Sequence, residues 1–593
     1  MRRFFLFIFT LFLVCIPTQS IYAADFSADY DVDYAISPTG TTIVTQKITL
    51  TNNETNYYPK QYSIIIDTQK IKNVIAYDSK GMINPTIEQK DGKTEIGLKF
   101  NDKVVGKGKT LAFELRYEHG DIAVKNGRIW EVNIPGIEDD PTIGTYTVNL
   151  RTPATFGTTM YMKPAPLSGR KWVKHQMTGG GISAAYGTSQ EFTAQLTYDI
   201  ENEKLTSADY EIALPPDTAF QKIVVKSIDP KPKSTRTDED GNWLATFTLA
   251  GSQKITVSTV LGVTTYIKPR TDYKKITVVS TQYLQPQTYW ESTDPVIKAL
   301  AAKYKTPKDI YEYVVSTLNY SYDRMQKSFT RKGAKEALVN PADSICSEFT
   351  DLFIAVARAA GIPAREVVGY AYTTNVKLRP IASGALDILH AWPEYYDSTQ
   401  KVWIPVDPTW KKTTKGIDYF DTLDFNHIAF AIHGVSSEYP YPAGSYKQGS
   451  IPKKNVSIAF SDVSQKIPEN TIKTTITIPP EVTLGSAVTG EAIIQNTSGV
   501  AIDQLVINIQ SEPFPFSVTK YEDNIPPYGV ITIPINIQTS GIFSTQKGKI
   551  TVSVNDEVST FTYALRPMYW LIIPAVLAII GLALLIWILS HRR

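Results

Sequence analysis

Cysteine is almost missing from this 593-residue chain, which has two, Cys15 and Cys346. Cys15 sits in an apolar N-terminal run, and removal of that run leaves Cys346 alone. A lone thiol cannot close an internal disulfide, so a stapled scaffold is excluded. An excess of charge of one sign is missing too. Lys and Arg total 60 against 58 Asp and Glu, and no basic cluster dominates. Nucleic acid is therefore a poor candidate partner. Helix-like periodicity is scarce, while tyrosine and threonine are abundant. Most of the chain is expected to be β-sheet.

Long apolar runs occur at the two ends. Met1-Arg2-Arg3 precedes an apolar stretch from Phe4 to Ile16, broken by Pro17, and Ile21-Tyr22-Ala23 offers a small residue for cleavage. That is the layout of a secretory signal, assigned to residues 1–23, in preference to a retained anchor. A lipoprotein signal does not fit, because Ile16 and Pro17 follow Cys15. At the other end, Met568 to Leu589 carries no charged residue. At ~1.5 Å per residue it reaches ~33 Å, enough for a ~30 Å hydrocarbon core. Tyr569, Trp570 and Trp587 flank it, and His591-Arg592-Arg593 follow. Basic residues stay cytoplasmic. The expected topology is single-pass in the cell membrane, with residues 590–593 inside and nearly everything else outside.

Length suggests roughly four domains at ~150 residues each. Residues 24–144 read as a β-sandwich-like domain. Thr42 to Leu50 alternates with period two, Leu111 to Tyr117 is a further strand, and Asp91-Gly92 and Ser79-Lys80-Gly81 are turns. A second β-rich region is expected over 145–270. Between Asp294 and Leu318 a helical pattern appears, with Ile310, Val314, Val315 and Leu318 on one face and Pro307 in the first turn. A second, amphipathic helix is expected from Asp343 or Ser344. Its stripe is Phe349, Leu352, Phe353, Val356, Ala357 and Ala360, and Gly361 and Pro363 stop it. Strands follow at Glu366 to Tyr372, Ala391 to Asp397 and Lys401 to Val406, giving an α+β domain over 283–434. After a Tyr-Pro linker at Tyr439 to Gly444, residues 455–565 read as an immunoglobulin-like sandwich beside the membrane segment at 568–589.

The chemistry gathers around Cys346. A helix start presents unpaired N–H groups and partial positive charge, both favouring a thiolate. His390 can act as its base and Asp407 can orient the imidazole. A turn at Ser398 to Lys401 makes the last two strands neighbours, so His390 and Asp407 can lie nearly opposite one another. Asp407 also suits the start of the Asp-Pro-Thr turn, and the two roles can coexist. Trp392, Trp403 and Trp410 read as packing residues. Arg358 and Arg365 read as members of structural ion pairs. His427, His433 and Asp424 form a weak candidate metal group, with structural roles preferred.

These stretches together resemble the transglutaminase-like superfamily, which shares its catalytic arrangement with papain-like cysteine proteases. The matching residues are Cys346-Ser347-Glu348-Phe349, Ala357 to Arg365, Val368-Gly369-Tyr370, His390-Ala391-Trp392 and Trp403 to Thr409. The resemblance implies Cys346 as nucleophile, His390 as general base and acid, and Asp407 as orienter. It implies an acyl-enzyme thioester, then hydrolysis or amine transfer, with no cofactor and no metal. Members often carry glycine two residues before the cysteine; Ser344 stands here. The Cys346 N–H is an expected oxyanion donor, with Asn319 and Tyr320 as candidates for a second.

The expectation is a membrane-anchored extracytoplasmic cysteine enzyme acting on peptide or protein amides, with the cell envelope as a candidate source. The rival is a surface binding or adhesion protein that uses the same fold without catalysis. The substrate and the oligomeric state are not legible.

Overall fold

The structure, a computed structural model, describes residues 25–325, 330–372, 389–446, 454–541 and 547–591. The expected export signal at 1–23 lies outside these residues, as do Arg592 and Arg593. The chain is rich in β-sheet. It divides into two compact units: residues 1–124, 132–156 and 164–182, and residues 125–131, 157–163 and 183–593.

In the first unit, Thr42–Asn52 alternates along its length between buried and less buried positions. Val44, Ile48 and Leu50 face the core. The strand pairs antiparallel with Phe26–Ile36 and with Thr110–His119. Ile143–Arg151 adds in parallel beside Phe26–Ile36, so a strand reaching past position 144 shares this sheet. Asp91 and Gly92 have φ of 51° and 79° and join Thr86–Lys90 to Lys93–Lys99. Two left-handed residues are what a tight hairpin turn of this type requires.

In the second unit, Gln190–Glu201 pairs along its whole length with Lys254–Thr265 and, on its other edge, with Val456–Ser461. That last strand, expected at the head of the membrane-proximal domain, thus completes an upstream sheet. Ala208–Leu214, Ser234–Thr237 and Trp243–Leu249 form a second sheet over the same core. Phe192, Leu196, Trp243, Phe247 and Leu261 fill it, joined by Ile428 and Phe430 from a strand of the α+β region described next.

The α+β region is built from helices α1 (Pro295–Lys303), α2 (Pro307–Thr317), α3 (Ala334–Val339) and α4 (Cys346–Ala359). Strands β1 (Ala364–Ala371), β2 (His390–Asp397) and β3 (Val402–Pro405), helix α5 (Pro408–Thr413) and strand β4 (His427–His433) follow. The sheet order is β3-β2-β1-β4, all antiparallel. The single helical pattern expected from Asp294 to Leu318 is two helices. Asp294 caps α1 and Thr306 caps α2, each just before a proline at the first position. Proline lacks an N–H and disfavours helix in the residue before it, so Pro307 starts a new helix.

Helix α4 departs from the amphipathic expectation in being buried almost all round. Phe349, Leu352, Phe353 and Val356 pack with Trp290, Ile310, Val314 and Leu318. Its opposite face carries Glu348, Asp351 and Arg358, which are buried because each is satisfied. Arg324 donates to Glu348 at 2.7 and 3.1 Å. Arg331 bridges Asp351 and Glu366 of β1. Arg358 was read as an ion-pair former; it donates instead to the carbonyls of Gln285, Ala364 and Gly434, closing the helix onto β1. Gly361, at φ 81°, ends the helix as expected.

From Ile472 to Arg566 two further sheets share one apolar core that includes Ile494, Ile507, Ile535 and Ile550. Tyr569–Ser590 is then helical, and among the described residues it holds the one stretch long and apolar enough to cross a membrane.

Candidate active site

Cys346 is the first residue of α4 and is buried. Its helix start is fixed by Glu348, whose carboxylate accepts the Ile345 N–H at 3.0 Å and the Lys332 N–H at 3.1 Å while Arg324 neutralises it. The backbone before the cysteine needs no glycine. Ser344 is not in the left-handed region; it lies in a bridge with Tyr320, and its carbonyl accepts the Ser321 N–H at 2.8 Å. The Asn319 N–H is spent on the Pro341 carbonyl. Tyr320 lies close enough to Cys346 for the thiol's charge to add to burial in raising its phenol.

His390 opens β2, opposite Gly369 of β1. A side chain at 369 would not fit: a Cβ would meet the Ile428 carbonyl at 2.0 Å and the Trp392 ring at 3.0 Å. The His390 ring lies between two tryptophans, with centroids 5.9 Å from Trp392 and 5.7 Å from Trp410. These two rings, read from sequence as packing, thus wall the imidazole. Trp403 is elsewhere, against Arg365 and Tyr283. Arg365 does form the expected ion pair, with Glu394 at 2.7 Å.

Asp407 holds both roles considered for it. As cap of α5, its Oδ1 accepts the Trp410 N–H at 2.9 Å. Its Oδ2 meets His390 Nε2 at 2.8 Å. With Nε2 so engaged, Nδ1 is the nitrogen left for the hydrogen bond between His390 and Cys346. Burial alone would push His390 down. The Asp407 charge and hydrogen bond, aided by Cys346, outweigh it and push the imidazole up to about 10. Burial likewise works to raise Asp407, but His390 and His427 hold it well below the usual carboxylate range. The structure therefore brings Cys346, His390 and Asp407 together, the imidazole bonded to the carboxylate on one side and to the sulfur on the other.

Of the loose His427, His433 and Asp424 group, only part converges. His433, at the far end of β4, bonds Glu366 at 2.8 Å and the Pro440 carbonyl at 2.8 Å. His427 instead joins the site. Its Nε2 lies 3.1 Å from Asp407 Oδ2, and its Nδ1 lies 2.7 Å from Asp424 Oδ1. His390, Asp407 and His427 offer metal-ligand atoms within 4.8 Å of one another, but hydrogen bonds already occupy both His427 nitrogens. Sequence reasoning missed this link. The only available signal was Asp424 three residues before His427, a spacing that says nothing of Asp407.

Residues 291–408 match the family model described as the transglutaminase-like superfamily. A curated protein-glutamine gamma-glutamyltransferase from Pseudomonas aeruginosa is 27% identical over 151 residues, which is 23% of this chain and 22% of that protein. The chain thus spans about a fifth of that relative's length. A candidate cysteine protease of solved structure from Cytophaga hutchinsonii aligns at 17% identity and TM-score 0.25, covering 46% of this chain and 98% of its own. The periplasmic domain of TgpA from Pseudomonas aeruginosa aligns at 16% identity and TM-score 0.22, covering 39% of this chain and 92% of its own.

Proposed function

From a chain that carries a transglutaminase-like domain at residues 291–408, we propose a membrane-anchored, extracytoplasmic cysteine enzyme that attacks peptide or protein amide bonds. The observation that carries the reading is the 2.8 Å contact between His390 Nε2 and Asp407 Oδ2, made by an imidazole that also bonds Cys346.

The reaction runs as follows. The Cys346 thiolate adds to the amide carbon, and the oxyanion forms near the first-turn N–H groups of α4. Collapse breaks the C–N bond while the His390 imidazolium gives its proton to the departing nitrogen. A thioester and a free amine result. Water, or a second primary amine, then adds to the thioester as His390 takes its proton, and the thiolate leaves again. Asp407 keeps the ring oriented and stabilises the imidazolium. The Tyr569–Ser590 helix supports anchoring of the catalytic region to a membrane.

The Pseudomonas relative's name makes glutamine side-chain amides the first substrates to try. The test incubates the purified full chain in detergent with glutamine-containing peptides and a labelled primary amine. Free acid product marks hydrolysis, and amine incorporation marks transfer. A chain that yields neither product and traps no acyl probe at Cys346 defeats the enzyme reading in favour of a binding module.

A further inference from the structure

Behind the proposed triad lies a second imidazole that the acyl-transfer chemistry does not use. The His427 side chain is about 1% exposed, and each ring nitrogen faces a carboxylate: Nε2 faces Asp407 Oδ2 at 3.1 Å and Nδ1 faces Asp424 Oδ1 at 2.7 Å. Asp407 Oδ2 is shared, since His390 Nε2 reaches it at 2.8 Å. An ionised carboxylate only accepts. With both carboxylates ionised, both nitrogens of His427 carry protons and the ring is a cation between two anions.

We propose that His427 is a positioning residue, held as imidazolium by Asp424, which fixes Asp407 and shares its charge with His390. The triad thereby becomes a five-membered chain: Cys346, His390, Asp407, His427, Asp424.

The surroundings are built for that charge. Asp424 Oδ1 also accepts the Asn426 N–H at 2.7 Å, and Asn426 donates in turn to Glu131 at 2.5 Å. Glu131 is buried, and burial pushes it up, with the charge of Asp424 adding to the effect. Among the described residues, a second cation facing the group is Lys163, buried over the rings of Tyr161 and Tyr419 and bonded to the Thr422 carbonyl. Burial brings Lys163 down to about 8, with Asp424 and Asp407 among the charges resisting. Trp392 and Trp410 close the remaining faces of the His427 ring, at 5.0 and 4.6 Å between centroids. Water screens a cation so enclosed from its carboxylates very little, and removing either partner would strand the other charge.

The consequence is specific. A cation on the far side of Asp407 weakens the hold of that carboxylate on the His390 proton. Without it, His390 keeps its proton to higher pH. A purely structural histidine would change stability but leave this limb where it is.

The proposal rests on the triad reading, and two measurements keep their failures apart. First, Cys346 acylation by p-nitrophenyl acetate is followed against pH in the full chain and in His427→Gln. The expected result is a loss of about 10- to 100-fold at neutral pH, as for groups that orient a reacting ligand from behind. The alkaline limb should move up by about one pH unit, the low end of what a charge 4–6 Å away does. A folded variant whose limb stays in place overturns the proposal. Second, ring nitrogen resonances of the six histidines are assigned in the unmodified chain by comparison with His427→Gln and His390→Gln. Protons on both nitrogens of His427 above neutral pH support the proposal; a bare Nδ1 overturns it, even if the variants fold too poorly for kinetics. Should the unmodified chain fail to acylate, the enzyme reading falls, and the protonation of His427 is still decided by its resonances.

Discussion

Between Ile472 and Arg566 the buried polar side chains among the described residues are Asn496, Ser498 and Thr539, none of them charged. Between Tyr283 and Gly434 they include Glu348, Asp351, Glu366, His390, Asp407 and His427. The first region is two sheets meeting through alternating aliphatic side chains, such as Ile507, Ile535 and Ile550. The second folds around charges that are tolerable only in pairs. Apolar cores lose stability in proportion to the methyl groups removed. Paired buried charges fail abruptly, because deleting one partner strands the other. The candidate site lies where the fold already relies on such pairs, and the same exclusion of water that limits screening of the pairs sharpens the electrostatics around Cys346.

The contrast can be broken or sharpened by experiment. Chemistry gives the largest effects. Cys346→Ala should abolish acyl-enzyme formation, His390→Ala should nearly do so, and Asp407→Asn should cost of order ~10²–10⁴ in rate. Trapping of an acyl probe measures all three, and a Cys346→Ala protein that still traps it would remove the site altogether. Next comes stability. Arg331→Met leaves Asp351 and Glu366 without their shared guanidinium and should cost about 3–5 kcal/mol. Ile550→Val, one methylene from the other core, should cost about 0.5–1.5 kcal/mol. Hydrogen exchange of β1 and of Gly548–Val554 in the full chain reads each locally. Equal costs would mean that the two regions are held alike.

A smaller effect is expected with pH. His390 is raised, so its stabilising contribution is complete below an unfolded value of ~6.5. It fades as pH climbs through about 10. Asp407 is lowered, so its contribution is present above ~3.9 and lost in acid. Opening free energies in β2 should therefore decline from neutral to alkaline pH, while those in 548–554 stay level. A parallel decline in both would defeat the argument. The smallest change should come from Val558→Thr, at a 65% exposed position of the aliphatic region. It should stay within about 0.5 kcal/mol by the same exchange measurement.

What could be read from sequence was local. Alternation gave a strand over Thr42 to Leu50, two residues short of its observed end at Asn52, and the stops at Gly361 and Pro363 gave the end of α4. The turn at Ser398 to Lys401 set His390 and Asp407 on neighbouring elements. Pairings distant in sequence were not legible. Nothing in Val456–Ser461 says that its partner is Gln190–Glu201, and nothing in Glu348 says Arg324. The burial of both faces of α4 was hidden for the same reason, since its polar residues look solvent-facing until their partners are known. His427 was visible as a residue but not as a neighbour of Asp407, because a β-strand end finds its contacts through register.

One pairing also bears on how the molecule would carry load. Lys254–Thr265 and Val456–Ser461 lie on either side of Gln190–Glu201 in one sheet, so residues 283–434 are looped out between two strands anchored to the same neighbour. The C-terminal end of Val456–Ser461 pairs beside the N-terminal end of Gln190–Glu201, Ser461 opposite Glu191, so tension between the N-terminal side and the C-terminal segment would open this ladder from that end, one hydrogen bond after another, in series with the 472–566 sheets. The helix bearing Cys346 would feel little of it until that ladder opened. Pulling single molecules between Asp25 and Ser590 should show this ladder opening before any extension of 283–434; release of that region with the ladder still closed would show that the ladder gives no shelter.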